Sequence, residues 1–356
     1  MTLVAAAETS LAAPAILALD DPRWGWFVDH TEDATPFHHP SWARLLAESY
    51  RYKGFALAVA DGDGEVIAGA PFLEVRSLAG RRRWISLPFT DECPPLAGSS
   101  EARDMLIRAL ADEEGQLRVP PVEIRAPIDA LGWGVTAEAV IHELELEPDP
   151  DALRKRFSRS QVVRNIARAE REGVMVRRAA GERDLDAFYR LHTRTRRRQG
   201  VPVQPRRFFE LLWSRLVEPG LAFILLADVP GGEAVAGALF LQTGDTTIYK
   251  FGASDVDSLP LRPNHLIFWT AIQSACARGD RRFDFGRTDL GNAGLRAFKR
   301  GWGGEERPLR YSALAPGAAA GAEGMASRAL GAAIRRGPKW VCTASGQALY
   351  RYAASR

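Results

Sequence analysis

Cysteine is scarce in this chain of 356 residues, and Cys93, Cys276 and Cys342 are too widely spaced for a zinc site or a disulfide framework. This excludes a small stapled secreted scaffold and favours a reducing, cytoplasmic setting. An excess of one charge is also missing. With 47 Lys and Arg against 44 Asp and Glu, the formal charge of +3 excludes a surface that is basic throughout, so any anion site must be local. No run reaches the roughly 20 uncharged apolar residues of a membrane helix. The apolar stretch at 3–7 has no basic residues before it and meets Glu8 at once, which argues against a signal peptide. No sustained heptad pattern supports a coiled-coil arm, and no cluster of ligand residues calls for a metal.

What the chain does contain is an internal repeat. Residues 65–73 read EVIAGAPFL and residues 233–241 read EAVAGALFL, with six of nine positions identical. Each copy follows a strand-like run, at 55–60 and 221–227, and a turn rich in Gly and Asp, so each predicts a β-hairpin. A strand, a helix and a strand follow in both halves, at 84–87, 102–112 and 122–126, then at 246–252, 264–277 and 282–286. The length suits two domains, and the recurring order predicts a duplicated α/β unit. The expected division is 1–147, 148–314 and a C-terminal tail, 315–356, rich in Ala, Gly and Arg. That tail reads as a weak amphipathic helix, dispensable for folding, that packs on the first domain or touches a membrane surface.

Between the copies the charge becomes uneven. Residues 151–200 carry fifteen Lys and Arg against six Asp and Glu. Residues 160–171 have the apolar period of an amphipathic helix with arginines outside. Arg196, Arg197 and Arg198 close a second helix before Gly200, and they are candidates for gripping phosphate or RNA. A solvated helix face is the plainer account of any single arginine.

The densest chemistry follows in the second copy, between residues 262 and 304. Pro263 suits a helix start and Gly279 a helix end. The strand after it carries Asp284 and leads to Arg287, Thr288 and Asp289. Asp284 is expected either to act chemically or to pair with Arg282 or Arg287. His265 is a candidate base, although a structural histidine is the commoner case. Lys299, between Phe298 and Trp302 in a turn flanked by glycines, suggests a cation held among aromatic rings.

The stretches RRFDFGRTDLGNAGLRAFKRGWG (281–303), YKFGAS (249–254), RPNHLIFW (262–269) and RRRQGVPVQPRRFF (196–209) resemble the FemAB-like, or Fem-type, peptidoglycan aminoacyltransferases. These are tandem proteins of the GNAT (acyl-CoA N-acyltransferase) superfamily. The resemblance implies two GNAT-like domains with mixed twisted sheets, and it implies transfer of an acyl or aminoacyl group to an amine. It implies Lys299 at the donor, stabilising charge on the acyl oxygen, with Phe298 beside it. Tyr249 and Lys250 would line the acceptor channel. Asp91, with Glu92 next to it, and Arg44 fall near the family's first-domain positions. Arg206, with Gln204, Phe208 and Phe209, stands where peptidoglycan-specific members place other residues. An ordinary GNAT domain cradles the coenzyme A pyrophosphate on a Gly-rich loop. Here that place reads LPLRPNHL, which leaves Arg262 as the phosphate contact.

These observations give an acyltransferase with no tightly bound cofactor, moving an activated acyl group, of the aminoacyl-tRNA ester type, to an amine. The acceptor would be a phosphate-bearing UDP- or lipid-linked envelope precursor or a small amine. Acyl-CoA-dependent N-acetylation is the alternative enzyme, and a non-catalytic binder of phosphate ligands or RNA is the alternative class.

Overall fold

The computed structural model describes residues 14–77, 80–111, 119–314 and 325–353. The apolar stretch at 3–7 lies outside the described residues. In the first half, β1 (Ala15–Leu17), α1 (Pro22–Asp29) and α2 (Pro40–Tyr50) lead to the hairpin of β2 (Lys53–Ala60) and β3 (Val66–Arg76). There follow β4 (Arg82–Ile85), β5 (Leu96–Ala97), α3 (Ser100–Ala111), β6 (Val122–Ile124) and β7 (Trp133–Glu145). Proline opens α1 and α2, where its missing N–H has no intrahelical partner to lose.

The second half begins with α4 (Pro150–Arg156) and α5 (Arg164–Arg171), then β8 (Met175–Arg178), α6 (Glu182–Gln199) and α7 (Arg206–Leu212). The hairpin of β9 (Ala222–Asp228) and β10 (Ala234–Thr243) comes next, with β11 (Thr246–Ser254), α8 (Pro263–Arg278), β12 (Arg282–Thr288), α9 (Ala293–Gly301) and β13 (Glu305–Leu314). The helix expected over 160–171 is α5 preceded by one wider π turn at Arg159–Val163.

The repeated sequence occupies equivalent places with equivalent packing. Phe72 on β3 stacks on Phe55 of β2 with ring centroids 5.9 Å apart, and Phe240 on β10 stacks on Phe223 of β9 at 5.1 Å. The repeated glycine also does one job twice. A Cβ on Gly69 would lie 2.8 Å from the Trp24 ring, and one on Gly237 would lie 2.9 Å from the Phe188 ring. In each half the missing side chain lets an aromatic ring from a helix reach the sheet.

All the strands form one sheet, in the order β1-β2-β3-β4-β6-β13-β7-β12-β11-β10-β9-β8, with β5 beside β3. The long last strands of the two halves are exchanged. β7, from the first half, pairs antiparallel with β12, while β13, from the second, pairs with β6, and the two also pair with each other from Glu305↔Glu143 to Leu314↔Trp133. The sequence patterning missed both strands. A boundary drawn in the sequence near residue 147 thus separates stretches of chain, whereas in space each half completes the other's sheet.

One core is shared across the halves. Trp42, Leu46 and Tyr50 of α2 join Leu185 and Phe188 of α6 and Phe208 and Phe209 of α7 on one face of the sheet. On the opposite face α5 and α8 cover the second hairpin through Ile166, Phe268 and Ile272.

The C-terminal helices, α10 (Met325–Arg336) and α11 (Lys339–Ala353), pack on both halves, which bears directly on the expectation of a dispensable tail. Tyr350 is buried in the shared core and stacks on Tyr50 at 5.5 Å, and the Tyr52 hydroxyl donates to the Arg351 carbonyl at 2.8 Å. Arg196 donates to the Tyr350 hydroxyl at 3.0 Å and Arg197 to the Gly337 carbonyl at 2.7 Å. Tyr350→Ala would empty an aromatic site in this core, so chemical denaturation should report a loss of about 3 kcal/mol. Unchanged stability would mean that α11 is only loosely attached.

Candidate active site

The site starts from a parting of two strands. β11 and β12 run parallel and pair only from Thr246↔Arg282 to Ile248↔Asp284. Beyond that point β12 bulges between Asp284 and Arg287, where Gly286 takes a left-handed φ of 74°. Alternation along β12 sends Phe283 and Phe285 into the α8 core and Asp284 to the other face.

Both polar groups of Gly286 are taken by candidate residues. Asp284 Oδ1 accepts its N–H at 2.6 Å, and Lys299 Nζ donates to its carbonyl at 2.6 Å, with a longer bond to the Arg287 carbonyl at 3.3 Å. Two expectations are corrected here. Lys299 lies in α9, in a helix and not in a turn, and its ammonium rests on backbone carbonyls with no aromatic face beneath it. Asp284 pairs with neither Arg282 nor Arg287, whose partners are Asp245 and Asp289.

Burial sets the protonation of this pair. It pushes the Asp284 carboxyl up to about 7, Glu143 adding its repulsion and the Gly286 N–H opposing. It draws the Lys299 ammonium down to about 8, against the attraction of Asp284 and Asp91. The sign follows for stability. Between the ordinary aspartate value and about 7 the folded state holds the extra Asp284 proton, so this residue's contribution declines as pH rises through that window.

Two clefts reach this point. One, of about 400 Å³, is lined by Arg198, Tyr249, Arg262, His265, Phe298 and Lys299, which brings six of the candidates together. The other, of about 730 Å³, is lined by Glu92, Glu143, Ile248, Asp284 and Arg307 between the two halves. Lys299 and Asp284 therefore hold the two successive peptide units that flank the Gly286 Cα, and they line different clefts.

In the smaller cleft His265 stands edge-on to the Phe298 ring at 5.3 Å, with Nε2 3.3 Å from Asn165 Nδ2. Burial, with the charge of Arg262, lowers it to about 4, so it stays neutral and is a poor proton acceptor near pH 7. Tyr249 packs 4.8 Å from Phe268, and burial pushes its phenol up to about 12.

The first half reaches the site through the chain between β4 and β5. β4 and β6 pair only at Trp84↔Val122 and Ile85↔Glu123, after which the chain turns away through Leu87 and Phe89, both at positive φ. Cys93 then occupies the place beside Arg125, its N–H donating to the Arg125 carbonyl at 2.9 Å. Ser86 Oγ locks this plug, donating to the Cys93 carbonyl at 3.1 Å and accepting from the Arg125 N–H at 2.8 Å. The parting equivalent to that of β11 and β12 is filled by the chain itself.

The same plug delivers Asp91 and Glu92. Lys250 Nζ bonds Asp91 Oδ1 at 3.1 Å and lies 4.9 Å from the Phe37 ring and 5.6 Å from Trp42. The cation among aromatic rings is therefore Lys250. Tyr311 Oη donates to the Asp91 carbonyl at 2.9 Å, and Arg307 of β13 bonds Glu92 at 3.1 Å and Glu143 at 2.8 Å. Sequence reading missed Gly286, Glu143, Arg307 and the Phe37–Trp42 cage. The polar–aromatic alternation and glycine of FDFG were the available signal for the first.

The other candidates lie elsewhere. Arg287 pairs with Asp289 at 2.8 Å at the exposed end of β12. Arg206 pairs with Asp186 and Glu210 over the Tyr189 ring, and half-buried Arg44 lines neither cleft. Arg196 and Arg197 hold the C-terminal helices, while Arg198 reaches the smaller cleft. Among the described residues, no His, Cys, Asp or Glu group could hold a metal, and no helix is long and apolar enough to cross a membrane.

Residues 156–300 match the family model described as an acetyltransferase (GNAT) domain. Over 85 residues the chain is 38% identical to a lipid II:glycine glycyltransferase of Staphylococcus haemolyticus, a match covering 22% of this chain and 20% of that protein. The Staphylococcus aureus protein of the same name matches at 35% over 80 residues, again about a fifth of each chain (21% and 19%). The crystal structure of FemX superposes with a TM-score of 0.69 at 17% identity, covering 84% of this chain and 97% of that one. L-PGS from Bacillus licheniformis superposes at 0.55 with 14% identity, covering 90% and 97%. Over residues 156–300 the chain is thus similar to GNAT acetyltransferase domains, and over about a fifth of its length to the lipid II:glycine glycyltransferases, of whose own length it matches only about a fifth.

Gly286 makes the site's backbone testable. A Cβ there would lie 2.9 Å from the Tyr249 carbonyl and 3.3 Å from Asp91, in a backbone conformation that side chains rarely adopt. Gly286→Ala should cost more than about 1 kcal/mol in thermal unfolding. It should also move the Lys299 acceptor. Wild-type stability in that variant would show that the bulge is free to relax.

Proposed function

We propose that this chain transfers an activated acyl group, carried as an aminoacyl ester on RNA, to an amine of a cell-envelope precursor. The observation that carries this reading is the buried Lys299 ammonium lining the smaller cleft, across the Gly286 backbone from the buried Asp284 carboxyl of the larger one. The donor ester would enter between β11 and β12 from the α8 side, and the amine from the larger cleft.

The amine nitrogen attacks the ester carbonyl carbon, and the carbon–oxygen double bond opens to an oxyanion. Lys299, already aimed at a carbonyl oxygen, exchanges that contact for the developing charge. Asp284 takes the proton from the attacking nitrogen, a task suited to a carboxyl pushed up to about 7. The carbon–oxygen bond to the carrier then breaks, the amide forms, and the carrier leaves as an alcohol once it regains a proton. Lys250, fixed by Asp91 and its ring cage, holds the acceptor side. No tightly bound cofactor is required.

The names of the curated relatives, lipid II:glycine glycyltransferases, support an aminoacyl donor and a lipid- or UDP-linked acceptor. A cytoplasmic setting follows from that choice, since charged RNA is available there. A second reading, N-acetylation from acyl-CoA, is favoured by the buried Arg262 Nε, which has no partner at the start of α8. It is weakened by Pro263, which removes an amide where GNAT domains cradle pyrophosphate.

The test is incubation with charged tRNA or acetyl-CoA and candidate amines, followed by mass measurement of the product. Transfer from neither donor would sink the reading. With the productive donor, Lys299→Ala should lower kcat about 100-fold with little change in KM. The variant's melting transition must match wild type before its kinetics are read.

The pH profile is a separate check. Activity should need Asp284 ionised and Lys299 protonated, giving a narrow maximum between limbs near 7 and 8. Asp284→Asn should remove the acid limb along with most of the rate. A flat profile from pH 6 to 9 would contradict both roles.

A further inference from the structure

A second basic cavity lies outside both clefts. It is a groove of about 450 Å³ between α6 and the α10–α11 pair, lined by six cations, Arg190, Arg194, Arg197, Arg198, Arg335 and Lys339, over Tyr189, Thr193 and Thr343. Among the described residues no carboxylate lines it. Arg190 pairs with Glu233 and Arg194 with Asp255, each at 3.3 Å, in largely solvent-exposed pairs that contribute little. The Nε of Arg197 is buried without a partner, and Lys339 is exposed without an ion pair.

The layout of these cations carries the argument. Arg190, Arg194 and Arg198 recur every four residues, so they form a row along one side of α6, about 12 Å long at 1.5 Å per residue. Arg335 and Lys339 face that row from the ends of α10 and α11. Arg198 lines both this groove and the smaller cleft, so the row runs toward the Lys299 end of the molecule. Such a row is longer than one diphosphate and matches several successive anionic groups. Guanidinium forks suit phosphate oxygens, and a concave wall suits a strand better than a flat lipid surface.

We infer that this groove binds the phosphodiester backbone of a single-stranded RNA segment and guides its end into the cleft at Lys299. The inference rests on the reading that the donor is borne on RNA. It assigns the work to Arg190, Arg194, Arg198, Arg335 and Lys339, whereas Arg196 and Arg197 chiefly fasten the tail. The tail helices thereby become one wall of a binding site.

The experiment uses the full chain and a short fluorescein-labelled single-stranded RNA, with binding read by anisotropy from about 50 to 200 mM salt. The double variant R190E/K339E should bind at least about 10-fold more weakly. Its log–log salt slope should fall by about 1.4, the value for two lost phosphate contacts to single strands. R76E/R108E, on exposed positions of β3 and α3, should leave both quantities unchanged. Should R190E/K339E melt below wild type, Lys339→Ala alone replaces it, with half the slope change expected. Equal affinity and slope in wild type and variant would overturn the inference. So would displacement of the RNA by inorganic pyrophosphate as readily as by unlabelled RNA, which would make the groove a simple diphosphate cradle. Variant-sensitive binding to phosphatidylglycerol vesicles, with no RNA binding, would assign the surface to a membrane. Because binding is read without turnover, intact RNA binding in a chain that transfers no acyl group would leave the groove standing and remove only the chemistry.

Discussion

The pairing of β7 with β13 is the constraint on which the rest depends. Each strand ends one copy of the repeated unit and lies in the sheet of the other, so neither copy is complete without its neighbour. Arg307 on β13 bonds Glu143 on β7 across this seam and also bonds Glu92 from the first half's plug. The burial of Arg307 opposes its charge, and the bonds to Glu143 and Glu92 more than offset it, holding its pKa high. Breaking one member would leave a half-buried charge with one partner fewer, at a cost that solvent partly screens.

From that seam the asymmetry of the duplicate follows. Both copies have a parallel strand pair that separates, but in the first copy Cys93 and Ser86 close the gap with backbone bonds, and in the second the gap stays open beside Lys299. The plug does more than block. Its turn carries Asp91 to Lys250, so the copy without an open cleft supplies side chains to the copy that has one. A duplicated unit has in this way become a single site with a supporting half.

Much of the fold was legible in the sequence because its signals were local. The duplicated EVIAGAPFL motif, its glycines and the helix boundaries at Pro263 and Gly279 all depend on neighbours in the chain, and they fall where expected. β7 and β13 were not legible. Their pattern is set by partners distant in sequence, as in Arg282↔Glu145 and Glu305↔Glu143, and charged residues such as Glu143 and Arg307 interrupt the alternation that marks a strand. The site divides along the same line. Lys299, Phe298, Tyr249, His265 and Arg262 stand in segments singled out in the sequence and line one cleft, whereas the role of Gly286 depends on a bulge that only the β7 pairing reveals. The arginines show the limit of composition. Arg196, Arg197 and Arg198 look alike in sequence, yet the first two are spent on Tyr350 and Gly337 and the third faces two cavities.

The central claim is that chemistry occurs at one open parting, in the second copy. The most direct measurement is a crystal structure with a donor analogue whose reactive ester oxygen is replaced by a stable amide nitrogen. The account requires the acyl group between β11 and β12, its carbonyl oxygen within hydrogen-bonding distance of Lys299 Nζ, with the carrier leaving past Arg262 and Arg198. An analogue bound instead between β4 and β6, with the Cys93 plug displaced, would contradict it.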